Sequence, residues 1–121
     1  MCIRDSKNPI PPAAIHRGLL ISSAIGGQDP ETGVYSADKA DQVARAFEHF
    51  KRILEAGGAT PQDVVKVDMF FANTADRSYV NPLWVDMYPD ENARPARHAH
   101  AGELPTGCCL QIVFTAVLAE N

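Results

Sequence analysis

The residues with the greatest capacity for chemistry lie in one stretch, Ala93-Arg94-Pro95-Ala96-Arg97-His98-Ala99-His100-Ala101-Gly102-Glu103-Leu104-Pro105-Thr106-Gly107, followed by Cys108 and Cys109. A guanidinium presents a rigid planar fork that grips a carboxylate through two parallel bonds, which lysine cannot copy. Imidazoles titrate near neutrality and can hand a proton to a departing nitrogen. If a regular strand starts at Arg97, then Arg97 and Ala99 share one face while His98 and His100 share the other. The histidines then point away from a carboxylate held by Arg97 unless a bulge intervenes, and they serve as edge or interface residues. The same pair, with Glu103 behind it, has the spacing by which two side chains of a strand grip one ion. Such a site needs another histidine on a later strand, and none follows His100. The expectation is therefore no metal and no cofactor.

Other candidates carry less. Arg94 reads as a surface ion pair. Cys108 and Cys109 read as small hydrophobes, because a reactive thiol needs a neighbouring cation or base. Ser22 and Ser23 lack the glycines of a nucleophile elbow. Gly26-Gly27 lacks the third glycine and following helix of a dinucleotide fingerprint. Trp84 and Tyr88, at helical spacing, read as core and rim.

The segments that carry these residues alternate in type. Pro9, Pro11 and Pro12 impose an extended start, Arg17-Gly18 makes a tight turn, and 19–25 reads as a strand ended by Gly26-Gly27. From Lys39 to Ala56 the residues Val43, Phe47, Phe50 and Leu54 form one stripe of a helix. Ser36 or Asp38 caps its start, and Gly57-Gly58 stops it. Residues 64–72 read as a strand with Val65, Val67, Met69 and Phe71 on one side and Val64, Lys66, Asp68 and Phe70 on the other. A second helix over 74–88 turns Val80, Leu83, Trp84 and Met87 inward, with Pro82 kinking it or restarting it from Asn81 as cap. Residues 97–103 form a weaker strand. Residues 109–118 form a strong one, apolar on both faces and hence central. The simplest packing is α+β, with two helices on one face of a mixed sheet. The other face would leave apolar side chains bare, so it should meet further subunits.

Composition narrows the function classes. The chain has 121 residues, the size of one domain, and its net charge of −4 offers no basic stripe for phosphates. No apolar run approaches the roughly 20 residues a membrane helix needs. Neither nucleic acid nor membrane is an expected partner. Three cysteines, two of them adjacent, and no signal peptide suggest a reducing, cytoplasmic setting. Residues 1–6 read as a non-native or disordered leader, and 7–121 as the single domain.

The run Arg94-Pro95-Ala96-Arg97, then six residues, then Leu104-Pro105 and a final apolar strand resembles the Rid family of reactive intermediate deaminases, also called YjgF. Further agreement lies in Asp29-Pro30-Glu31-Thr32-Gly33, in Leu54-Glu55-Ala56-Gly57-Gly58-Ala59 followed by Asp63-Val64-Val65-Lys66, and in Asn81 ahead of an aromatic-bearing helix end. The resemblance spans about residues 8–118. It implies a chorismate-mutase-like subunit in a homotrimer, with a cleft between neighbours. There, water adds to a 2-imino acid or its enamine tautomer, releasing ammonia and a 2-oxo acid. Arg97 matches the family's carboxylate-binding arginine. Val113 stands where many of its deaminases carry a water-positioning glutamate, and Gln111 shares its face about 6.5 Å along the strand. Ser23-Ala24-Ile25 replaces the family's Ser-Gly-Gln, and its N-terminal Tyr falls near Ile10. The expected hydrolase therefore uses Arg97 and Gln111 catalytically, while Arg97, Asn81, Ala99, Cys109, His98 and His100 line a site for a small carboxylate-bearing metabolite. Val113 and Ile10 keep open a non-catalytic metabolite binder of the same fold, or a related hydrolase with another substrate.

Overall fold

A computed structural model describes residues 2–3 and 9–119. The elements are β1 (Cys2–Ile3), β2 (Ala13–His16), β3 (Leu19–Ser22), β4 (Ile25–Gly26), α1 (Lys39–Ala56), β5 (Val64–Phe71), α2 (Arg77–Met87), β6 (Ala96–Ala101) and β7 (Leu110–Val117). Of the expected leader, Cys2–Ile3 pairs with β2, and the other four residues lie outside the described ones.

The sheet runs β1-β2-β3-β7-β5-β6, with β4 also paired to β7. The β5–β6 pairing is parallel and every other pairing is antiparallel, so the sheet is mixed as expected. Arg17 and Gly18, at φ of +50° and +82°, close a two-residue hairpin between β2 and β3; positive φ at both positions matches the twist of the strands it joins. β7 lies between β3 and β5, which explains why its sequence is apolar on both faces.

The strand expected over 19–25 is instead two pieces. β3 pairs with β7 up to Thr115, whereas β4 resumes opposite Ile112. The Phe114 N–H between them donates to the buried Ser22 hydroxyl at 2.9 Å, so a side chain supplies the acceptor that the ladder lacks. Ser23 turns away, its N–H donating to Pro12 O and its hydroxyl to Pro11 O, both at 2.8 Å.

Asp38 caps α1, accepting from the N–H groups of Ala40 and Asp41. Val43, Phe47, Phe50 and Leu54 are buried, as their spacing requires, and Phe50 stacks on Phe114 with centroids 5.0 Å apart. On β5 the alternation slips at its start. A register shift between Val64 and Lys66 turns Val64 inward and leaves Val65 51% exposed, the reverse of the expected sides. From Val67 onward the alternation is regular. α2 runs through Pro82 without restarting, and Asp76, not Asn81, stands before it. The carbonyl that Pro82 leaves unbonded belongs to the exposed Ser78, where water can take its place. Side chains of both helices join Val67, Met69, Phe71, Leu110, Ile112, Phe114 and Ala116 in one core on one sheet face. On the opposite face Leu19, Ile21, Val65 and Val117 are exposed.

After β4 the chain passes so close to α1 that a Cβ on Gly27 would lie 1.9 Å from the Gln42 backbone oxygen. Gly27→Ala must therefore move the helix or the strand, and is expected to cost at least about 2 kcal/mol. A lowered urea midpoint at unchanged slope would show it; an unchanged midpoint would mean that this approach is not rigid.

Candidate active site on the two faces of β6

Side-chain alternation on β6 divides the expected site residues between two faces. Arg97 and Ala99 pair with Val67 and Met69 of the core side, while His98 and His100 pair with Asp68 and Phe70. No bulge intervenes, and the histidines point away from Arg97 as a regular strand requires.

On the helix side, one Arg97 terminal nitrogen donates to Asn81 Oδ1 at 2.7 Å, and the guanidinium carbon lies 5.1 Å from the centre of the Trp84 ring. Asn81 and Trp84 both come from α2, three residues apart, a spacing that brings them to a common helix face. Arg97 is half-buried, and no carboxylate forms an ion pair with it among the described residues. Burial, and then the nearby Arg77 charge, lower its pKa from the ordinary arginine value, although a guanidinium stays protonated throughout the physiological range. The result is an oriented cation without a counter-ion among the described residues.

On the open side, two rows of side chains cross β6, β5 and β7. His100, Phe70 and Gln111 make one row, and His98, Asp68 and Val113 the next. His100 Nε2 lies 2.9 Å from Asp68 Oδ1 and, facing a carboxylate, donates to it. Its ring stacks on Phe70 at 4.6 Å, and the two imidazole centroids are 4.0 Å apart. Lys66 Nζ approaches the same Asp68 oxygen at 3.5 Å. The His100 hydrogen bond, and after it the Lys66 charge, hold the Asp68 carboxyl below the usual aspartate range. The stability this contributes is present above the unfolded-state pKa and is lost as pH falls through the folded one. With Asp68 and His100 partly exposed, it amounts to less than about 1 kcal/mol.

Arg97, Asn81 and Ala99 therefore sit on one side of the sheet, and His98, His100 and Gln111 on the other. Within one subunit they do not share a pocket, as the alternation along a regular β6 requires. Cys109 belongs to neither group. It is buried, and its N–H donates to Gln42 Oε1 at 2.7 Å, while the Gln42 amide donates to Ser36 O and Gly107 O, each at 3.0 Å. The Cys108 N–H donates to Pro105 O at 2.9 Å. Burial raises both thiols above the ordinary cysteine range, so neither is a ready nucleophile. Tyr35, beside Cys108, is pushed up to about 12, chiefly by burial. Arg94 forms no ion pair among the described residues; its Nε donates to Tyr88 O at 2.8 Å, next to the end of α2. Glu103 is exposed beyond the end of β6, and the carboxylate that meets the histidines is Asp68. The sequence pattern assigned no role to Asp68; Trp84, read as core, is buried and also faces the Arg97 guanidinium. The signal for Asp68 was an acid on the outward side of a strand whose one other charged residue is Lys66.

The family model described as endoribonuclease L-PSP matches residues 6–118. The chain belongs to the Rid family. A RutC family protein of Pyrococcus abyssi is 36% identical over 103 residues, covering 80% of each chain. A Salmonella typhimurium protein named 2-iminobutanoate/2-iminopropanoate deaminase is 31% identical over 101 residues, 82% of this chain and 79% of that one. Among solved structures, the YjgF gene product of E. coli superposes with a TM-score of 0.81 at 27% identity, covering 95% of this chain and 92% of its own. The Rid fold thus accounts for the mixed sheet with two helices. No helix among the described residues is long and apolar enough to cross a membrane.

The two donors beside Asp68 can be separated by experiment. In His100→Phe, which keeps an aromatic ring over Phe70, the Asp68 carboxyl is expected to titrate closer to the ordinary aspartate value, followed by carbonyl-detected NMR. A carboxyl that stays equally depressed would assign the effect to Lys66.

Proposed function

We propose that this chain is a Rid-type deaminase that hydrolyses reactive 2-imino and 2-enamino acids to 2-oxo acids and ammonia. The observation that carries the reading is Arg97: a half-buried guanidinium, oriented by Asn81 and Trp84, with no acidic partner among the described residues. A substrate carboxylate supplies the missing counter-charge through two parallel bonds. The relatives named 2-iminobutanoate/2-iminopropanoate deaminase support the reaction class. In that reaction water adds across the C=N bond, the nitrogen takes up a proton, and ammonia leaves as the carbonyl forms.

The exposed apolar residues Leu19, Ile21, Val65 and Val117 support an assembly in which the open faces meet, as in a homotrimer. A cleft between neighbours would then have to bring Arg97 of one subunit toward the open face of the next, where Gln111 can hold the water. The free, buried Cys108 and Cys109 thiols are consistent with the cytoplasm. The second reading is a binder of small carboxylates without turnover. It is favoured by Val113, which cannot position water, and by the Cys108 and Cys109 N–H groups, which already have acceptors within the fold.

The test generates 2-iminobutanoate in place and follows 2-oxobutanoate. The expected result is a rate above buffer, with kcat/KM lowered at least about tenfold in Arg97→Ala, the worth of a charge-assisted hydrogen bond. An Arg97→Ala rate equal to that of the parent would remove Arg97 from the site. Oxo-acid binding without turnover would establish the binder, and a strict monomer by light scattering would overturn the shared cleft.

A further inference from the structure

We propose that Asp68, His98 and His100 bind one borderline divalent cation, Zn2+ or an ion of similar chemistry, on the open face of the sheet. One donor atom from each residue lies within 4.8 Å of the others. The placement follows from backbone geometry: His98 and His100 project to one side of β6 by alternation, and β5 brings Asp68 into register with His98. Asp68 thus supplies the third donor that the sequence offered no later histidine to fill. Two imidazoles and one carboxylate suit Zn2+, Ni2+ or Cu2+, whereas Mg2+ and Ca2+ prefer an all-oxygen shell. With metal to ligand distances of about 2.0–2.2 Å, donor atoms around a tetrahedral ion stand about 3.3–3.6 Å apart. To reach that spacing the 2.9 Å contact between Asp68 and His100 would open slightly, and the remaining donors, all within 4.8 Å of one another, would draw in.

The cluster is already partly organised. Stacking on Phe70 fixes the plane of His100, and Asp68 Oδ1 lies 2.9 Å from His100 Nε2. A cation would replace the proton shared in that contact and draw in the exposed His98. Three protein donors leave a fourth position for water. The opposing group is Lys66, whose Nζ lies 3.5 Å from Asp68 Oδ1 with its side chain 43% exposed. It can turn into solvent, but its charge weakens the site. Within one subunit the site lies on the face of β6 opposite Arg97, and ion binding is read out without any assay of turnover.

The test uses untagged full-length protein stripped with a chelator, titrated with Zn2+ against a chromophoric chelator and with Co2+ in the visible range. The expected result is one ion per chain and Co2+ bands of a four-coordinate site. Affinity should fall at least about tenfold in both His98→Ala and His100→Ala and should rise in Lys66→Gln. His98 is exposed, so His98→Ala should retain the circular dichroism and melting temperature of the metal-free parent and carries the test if His100→Ala fails to fold. Absence of stoichiometric binding would overturn the proposal. So would binding that persists unchanged in His98→Ala, which would place the ion elsewhere.

Discussion

β6 runs parallel to β5, and the register of that pairing governs the functional region. It sets Arg97 beside Val67 and His98 beside Asp68, and a strand's period of two then assigns every neighbour to a face. One face of β6 carries a cation held by Asn81 and Trp84, and the other an imidazole pair beside a carboxylate. A slip of one residue would exchange the faces and bury the histidines against α2.

A second constraint closes the approach to β7. Gln42 is buried, and its side-chain amide both donates and accepts, joining α1 to Ser36, Gly107 and Cys109. A buried amide with satisfied donors and acceptor is favourable, whereas a removed partner leaves an orphaned backbone group that costs about 1–3 kcal/mol. Gly27 permits this arrangement, since only a residue without a Cβ can lie so near the Gln42 backbone. The loops at this end of the sheet are therefore fixed by hydrogen bonds, one of which occupies the Cys109 N–H.

The open sheet face has a different character. Its outer part is apolar, through Leu19, Ile21 and Val117, while the part nearer β6 is polar, through Lys66, Asp68, His98 and His100. Burying the apolar part against further copies would stabilise an assembly at roughly 25 cal/mol for each Å2 of apolar surface removed from water. The polar part gains its order from local contacts instead.

Patterns local in the chain were enough to establish the family, the helix over 39–56, the central apolar strand and the separation of Arg97 from the two histidines. Each rests on periodicity or on short motifs, which are written in consecutive residues. Other features emerged only from long-range packing. The division of 19–25 depends on a Ser22 hydroxyl bonded to Phe114, distant in sequence. The inward turn of Val64 depends on a register shift against β7, and α2 continues through Pro82 where the proline alone allowed either a kink or a restart. Asp68 meets His100 across a strand pairing, and Cys109 meets Gln42 across the core. Such partners are joined by the closure of long loops, and no local pattern records which distant groups that closure brings together.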